Sequence, residues 1–309
     1  MRLPARQSGV ALITVMLIVT IATLVAVAMA DRQQLDIRRT GNLVFSDQAL
    51  EYALGAEAWA MGLLEQDARD NAVDHLGEDW STALAPIEVE GGAIRARIID
   101  LSGRLNPNNL VTVGQQVDTS AQTRLLRLAQ QLEDVPAELI PAVVDWIDVD
   151  LLASGANGAE DDYYSALEVP YRAANGPMAD LSELRLLRGM TEEAYEALAP
   201  YLAPLPRGST INVNTAPEQV LVAIGLDAVR AADIIQARED SPFNQIEELV
   251  AHPVLQGLEL DTTRLDVKSH YFLVEAEAVI AEVHFKLSSL LFREDTGRVS
   301  VLSRSQGAF

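Results

Sequence analysis

The chain contains no cysteine. Disulfides, thiol nucleophiles and thiolate metal sites are therefore excluded together, whatever the redox state of the compartment. Catalytic signatures are almost as scarce. The four histidines, His75, His252, His270 and His284, are scattered and never form an H-E-x-x-H pair, and no P-loop, G-x-S-x-G or G-x-G-x-x-G stretch occurs. No internal repeat is visible. Positive charge is in short supply: 23 Lys and Arg stand against 45 Asp and Glu, for a formal net charge of −22. Setting aside Arg2 and Arg6 leaves the rest near −24. Such a surface repels both nucleic-acid phosphates and anionic lipid headgroups. A hydrophobic content of 49% nevertheless indicates a folded protein and not a disordered acidic tail. The 309 residues suffice for one large domain or two modest ones.

What is present begins with a long apolar run. Residues 10–30 carry no charge, and Asp31 is the first charge after Arg6. As a helix these 21 residues span roughly 30 Å, one bilayer core. Positive residues before the run and acidic bulk after it place the N-terminus in the cytoplasm and the remaining chain outside it. Three fates are open on these residues alone. The run is a secretory signal cut after Ala28-Met29-Ala30, a plain anchor, or a prepilin-like signal cut after Gly9 and retained from Val10.

The helical pattern extends past the run. No proline occurs from 46 to 66, and Ala49, Ala53, Ala56, Ala60 and Leu63 recur at spacings of three and four. This narrow stripe suits close packing against a sheet or neighbouring helices. Gly41-Asn42 is a candidate kink. Residues 87–99 alternate around Gly91-Gly92 as a hairpin, and 100–109 are turn formers. A mainly helical region follows over 120–201, including 123–131, 136–146, 181–187 and 191–201, with Thr191 as a helix cap. Residues 204–208 read as a linker. A helical unit over 211–254 starts with a Thr215/Glu218 capping box, and strands over 271–282, 283–292 and 299–304 close the chain. One sheet interrupted by a helical insertion explains this order better than two tandem domains.

Two features invite a chemical reading. From Asp145 to Asp162 there are six carboxylates (Asp145, Asp148, Asp150, Glu160, Asp161 and Asp162) and no basic residue. Like charges so concentrated repel unless a cation compensates them. Carboxylates and turn carbonyls suit the six to eight oxygens that Ca²⁺ takes, whereas zinc would want His or Cys. The spacing departs from an EF-hand at Leu152. A solvated acidic loop is the alternative. The second feature is the 211–254 unit, which resembles a helix-hairpin-helix module. Asp227 stands where a second glycine would accompany Gly225, and a carboxylate there repels phosphate, so no nucleic-acid partner is expected.

With these motifs assembled, the chain resembles the general secretion pathway K family, the minor pseudopilin K of type II secretion systems. The resemblance rests on QSGVALITVML at 7–17, DHLGEDW at 74–80, DLSGRLNPNNL at 100–110 and VDWIDVD at 144–150. It continues with NGAEDDYY at 157–164, PYRAANGPMADLSELRLLRGM at 170–190 and INVNTAPEQVL at 211–221. It implies an α+β, type IV pilin-like fold: a long N-terminal helix on an antiparallel sheet with a large inserted α-helical domain. The boundaries expected are a leader over 1–9, a transmembrane helix over 10–30, a pilin-like helix and first strands over 31–110, an inserted α-domain over 111–270 and closing strands over 271–309.

The resemblance further implies cleavage by the prepilin peptidase between Gly9 and Val10, N-methylation of Val10, and structural calcium held by Asp148, Asp150, Glu160, Asp161 and Asp162. It implies no catalysis. It places the protein in the bacterial inner membrane as a single-pass subunit with its globular part in the periplasm. There it sits at the tip of a pseudopilus with minor pseudopilins I and J and other pseudopilins, supporting export of exoproteins through the outer-membrane secretin. One departure from most pilin-like chains is Thr14, at the fifth position after the expected cleavage, where Glu is usual. An unpaired carboxylate in the bilayer is expensive, and a subunit with no neighbour ahead of it has no use for one.

Overall fold

A computed structural model describes residues 8–83 and 85–307. The expected leader lies mostly outside the described residues, as do the last two residues of the chain. Helix α1 runs from Ser8 to Asp70 without interruption. Its 63 residues correspond to about 95 Å, and Gly41 does not end it. The segment 10–30 is exposed on every side, in keeping with a helix long and apolar enough to cross a membrane.

The hairpin β1 (Ile87–Val89) and β2 (Gly92–Asp100) follows. Next come α2 (Thr119–Gln131), α3 (Leu139–Ile147), α4 (Asp161–Ser165), α5 (Glu192–Leu198), β3 (Ile211–Asn212), α6 (Glu218–Ile224), α7 (Ala228–Asp240), α8 (Ile246–Ala251) and β4 (Leu265–Asp266). Strands β5 (Tyr271–Ile280), β6 (Val283–Arg293) and β7 (Val299–Gln306) close the chain.

The main sheet is antiparallel, in the order β1-β2-β5-β6-β7. Strand β2 pairs with β5 from Gly92↔Ile280 to Asp100↔Phe272, so everything from α2 to β4 is inserted between two neighbouring strands. Leu105 and Leu110 already belong to the core of the inserted helices, so that unit's packing starts ahead of residue 111. Gly91 turns the hairpin at φ 84°, and a Cβ on Gly92 would lie 1.8 Å from the Val279 carbonyl oxygen. Only glycine fits there.

The alanine stripe of α1 seats the helix on the sheet. Ala49 meets Ala278 and Ile280, Ala53 meets Ala276 and Leu287, and Ala60 and Leu64 pack with Trp80, Phe272, Val274 and Leu291. The buried end of the stripe is Leu64; Leu63 is half-buried. Glu57 lies on the same buried face, where its carboxylate accepts from Ser289 Oγ at 2.5 Å and from Arg304 at 2.7 Å.

Local expectations fail where a distant partner outcompetes a near one. Thr215 does not cap α6, whose N-cap is Pro217 without a side-chain bond. Its hydroxyl donates instead to the buried Asp100 carboxylate. Residues 181–187 form a 3-10 helix, Leu181–Leu186, closed by an Asp180/Glu183 capping box. Residues 204–208 are not a free linker, because Asn106 and Asn108 both donate to the Leu205 carbonyl. Asp227 is the N-cap of α7, accepting from Arg230 N at 2.9 Å, and Gly225 takes the turn before it at φ 129°.

The sheet and the insertion meet at Arg293, near the end of β6 and only 5% exposed. It donates to Asp67 of α1 at 2.9 Å, to Asp74, and to the Ser269 carbonyl at 2.9 Å. Asp74 accepts from Ser269 N at 2.7 Å. Asp100 accepts from Ser102 N, Thr215 Oγ1 and Ser269 Oγ. Glu78 accepts from Trp80 Nε1 at 2.6 Å through one oxygen, while its Oε1 has no hydrogen-bond partner. Burial, with Asp67 and Asp74 nearby, pushes the Glu78 carboxyl up from 4.5 to about 7. The folded state therefore holds this proton more tightly than the unfolded chain. The corresponding stability is complete below pH about 4.5 and is lost as pH rises through about 7. Glu78→Gln keeps the acceptor oxygen for Trp80 and removes the ionisation. Its melting temperature is expected to fall less steeply than wild type between pH 5 and 8. Parallel pH profiles for the two proteins would overturn this role for Glu78.

Candidate metal centre in the inserted domain

The carboxylate loop hangs from α3. This helix is buried at every position but Pro141, and Trp146 anchors it by donating to Glu183 Oε2 at 2.9 Å and meeting Tyr164 edge-on at 5.4 Å. Asp145, fully buried, accepts the Ser154 N–H through both oxygens, at 2.9 and 3.1 Å. That bond folds residues 148–160 back over the end of α3. Gly158 makes the return possible, since a Cβ there would lie 2.2 Å from Asp145 Oδ2 and 2.5 Å from Ser154 N. Arg188 donates to the Gly158 carbonyl at 2.9 Å, and Arg207 donates to the Ile147 carbonyl at 2.6 Å. These two guanidiniums hold backbone and leave the loop's acids unpaired.

The result brings Asp148, Asp150 and Glu160 together, with one oxygen of each within 4.8 Å of the others. Asp148 and Glu160 are 8% and 5% exposed. Asp148 Oδ1 and both Glu160 oxygens are buried with no hydrogen-bond partner. Glu160 stands at the N-cap of α4, yet its side chain makes no capping bond. Burial and the neighbouring acids push Asp148 up to about 6 and Glu160 up to about 7. Three orphaned buried oxygens converging without a donor form a set that a hard cation could satisfy.

Two of the five residues expected at the site stand apart from this triad. Asp161 accepts from Ala173 N at 3.1 Å and lies 3.8 Å from Arg172. Asp162 is exposed in the first turn of α4. Both fall in the first turn of α4, just after Glu160. Asp145 and Gly158 build the loop, and their signal in the sequence is the turn-rich Ser154–Gly158 stretch beginning nine residues after Asp145.

A second triad sharpens the assignment. Asp67, Asp74 and Glu78 also place one oxygen each within 4.8 Å of the others, all buried. There the Arg293 guanidinium already supplies the counter-charge. Among the described residues, the Asp148, Asp150 and Glu160 set forms no ion pair with a basic side chain. Its donors are all hard oxygens, which fit Ca²⁺ and offer zinc neither imidazole nor thiolate.

Comparison with known proteins places these features in a family. The model for type II secretion system protein K matches in two parts, residues 103–207 and 211–268, which together cover the insertion. The chain is 38% identical to type II secretion system protein K of Pseudomonas aeruginosa, covering 97% of this chain and 93% of that one. It is 34% identical to the protein of the same name from Aeromonas hydrophila, with 98% of each covered. Among solved structures, a chain in the GspK-GspI-GspJ complex of the enterotoxigenic Escherichia coli type 2 secretion system superposes with a TM-score of 0.79 and 28% identity. That match covers 88% of this chain and all of the other. The pilin-like α+β fold, the single apolar N-terminal helix and these matches agree: the chain belongs to the type II secretion system protein K family, the minor pseudopilins that serve protein transport as structural components.

Proposed function

We propose that this minor pseudopilin leads the periplasmic pseudopilus, initiating or capping it with pseudopilins I and J below. From there it supports export of folded exoproteins through the secretin. The observation that carries the reading is Thr14. Its hydroxyl donates to the Ala11 carbonyl of its own helix at 2.9 Å and so needs no partner subunit. In this reading the prepilin peptidase cuts between Gly9 and Val10, Val10 is methylated, and 10–30 stays in the inner membrane with the globular part in the periplasm. N-terminal sequencing of the mature protein tests the processing: N-methylated Val10 supports it, and a start at Asp31 would sink it in favour of a secreted calcium-dependent binding protein. Thr14→Val is expected to secrete as wild type does. Thr14→Glu introduces a carboxylate costing up to about 3 kcal/mol in the bilayer if unpaired, and is expected to lower exoprotein export in a complementation assay. Equal export by both variants would overturn the tip assignment.

Calcium belongs to the same reading, as a structural ion of the inserted domain held by Asp148, Asp150 and Glu160. The support is the set of orphaned oxygens and, among the described residues, the lack of an ion pair to a basic side chain. An ion that binds only the native state at a hundredfold excess over its Kd stabilises by about 2.7 kcal/mol. For a domain of this size that raises the melting temperature by about 5–10 °C. The shift between excess Ca²⁺ and chelator is expected in wild type and lost in the double variant Asp148→Asn, Glu160→Gln. Identical melting in Ca²⁺ and chelator would remove calcium from the proposal.

A further inference from the structure

The DLSGRLNPNNL stretch contains one residue that neither the fold nor the metal centre uses. Where the sheet meets the insertion, a cleft of about 290 Å³ opens between the 3-10 helix Asp79–Ser81, the end of β2 and the loops around Pro200 and Pro217. Leu76, Trp80, Ile98 and Pro200 give it apolar walls, and Arg104 lies among them. Arg104 is half-buried, and among the described residues its guanidinium makes neither a hydrogen bond nor an ion pair.

Other arginines of the interior are engaged. Arg293 holds Asp67 and Asp74, Arg238 donates to the Val213 carbonyl, Arg124 to the Asp261 carbonyl, and Arg207 to the Ile147 carbonyl. The carboxylates whose fields reach Arg104 are already taken. Asp100 accepts from Ser102, Thr215 and Ser269, and Glu275 is paired with Arg97. Burial draws the Arg104 pKa down, which marks a charge short of compensation. The backbone that carries Arg104 is fixed on both sides. Gly103 is pressed against Thr215, where a Cβ would lie 2.8 Å from Oγ1, and Leu105 is tied to Tyr201 and Ala203 through its backbone. A desolvated, unpaired guanidinium with apolar walls, carried on a fixed backbone, is complementary to a carboxylate flanked by apolar side chains.

We propose that this cleft is a docking pocket for a carboxylate carried on an apolar segment of a second pilin-like subunit. Arg104 takes the carboxylate through two parallel N–H donors, while the exposed Leu76 and Pro200 cover the neighbouring apolar side chains. The net charge of −22 does not prevent this, because repulsion between exposed charges is screened beyond about 8 Å at physiological salt and the pair forms at contact. The proposal rests on the assembly reading above and names where a partner is held.

The test measures binding of the full-length chain in detergent to pseudopilins I and J. Arg104→Gln is expected to weaken binding about tenfold or more, the loss that follows from removing a charged hydrogen-bond partner. Arg104→Lys, which keeps the charge but not the paired donors, is expected to fall between Gln and wild type. Leu76→Ala is expected to weaken binding without touching the fold, since Leu76 is 55% exposed. Melting temperatures are expected to stay at the wild-type value, because the Arg104 guanidinium makes no hydrogen bond or ion pair among the described residues. If Arg104→Gln melts early, Leu76→Ala alone decides. Wild-type affinity in both variants overturns the docking pocket and leaves the assembly reading standing. A wild-type chain that binds neither subunit overturns both.

Discussion

The architecture turns on one buried guanidinium. Arg293 sits where α1, the end of β6 and the return from the insertion converge, and it holds Asp67, Asp74 and the Ser269 carbonyl at once. Asn212 extends the network by donating to the Asp74 carbonyl and to Ser269 Oγ. Removing one partner of such a set strands the others in a low-dielectric interior, which costs more than the pair itself contributes. The main apolar cores of the sheet and of the insertion are separate clusters, joined by a small one in which Leu101, Ala203 and Leu205 meet Ile99, Tyr271, Leu273 and Leu290, and the polar hub fixes how one sits on the other. Apolar contact alone tolerates sliding; a forked ion pair does not.

The two carboxylate triads show two solutions to one electrostatic problem. At the hub the compensating cation is covalently part of the chain. In the loop after α3 the arginines are diverted to backbone carbonyls, and the acids face each other with three unpartnered oxygens. The difference lies in where the guanidiniums point and not in how many acids are present. Counting carboxylates along the sequence could not distinguish the two, because Asp67, Asp74 and Glu78 are no less dense than the loop once folded.

Features that depend on neighbours in the chain were legible. The apolar run, the alanine stripe, the Gly91-Gly92 hairpin, the Thr191 cap and the interrupted sheet all follow from periodicity or local turn chemistry. Features decided by distant partners were not. Thr215 forms a plausible cap with Glu218 until the buried Asp100, more than a hundred residues away, takes its hydroxyl. Asp227 reads as a lost glycine until it proves to cap α7. The run of acids was visible, but which of them converge depended on Asp145 and Gly158 folding the loop. Glu57, on the buried face of α1, is intelligible only through Ser289 of β6 and Arg304 of β7.

The course of α1 over the sheet has a mechanical consequence. Ala49 lies against Ile280 and Leu64 against Phe272, so the helix runs opposite to β5 and along its length. Its apolar end is at one extremity and the insertion, entered after Asp100 and left before Tyr271, is at the other. A thrust delivered along the helix axis loads the β2–β5 ladder in shear, across nine paired positions at once, and not one bond at a time as in peeling. The inserted head is therefore mounted like a tool on a shaft, with its joint oriented to bear force in the direction in which the shaft extends.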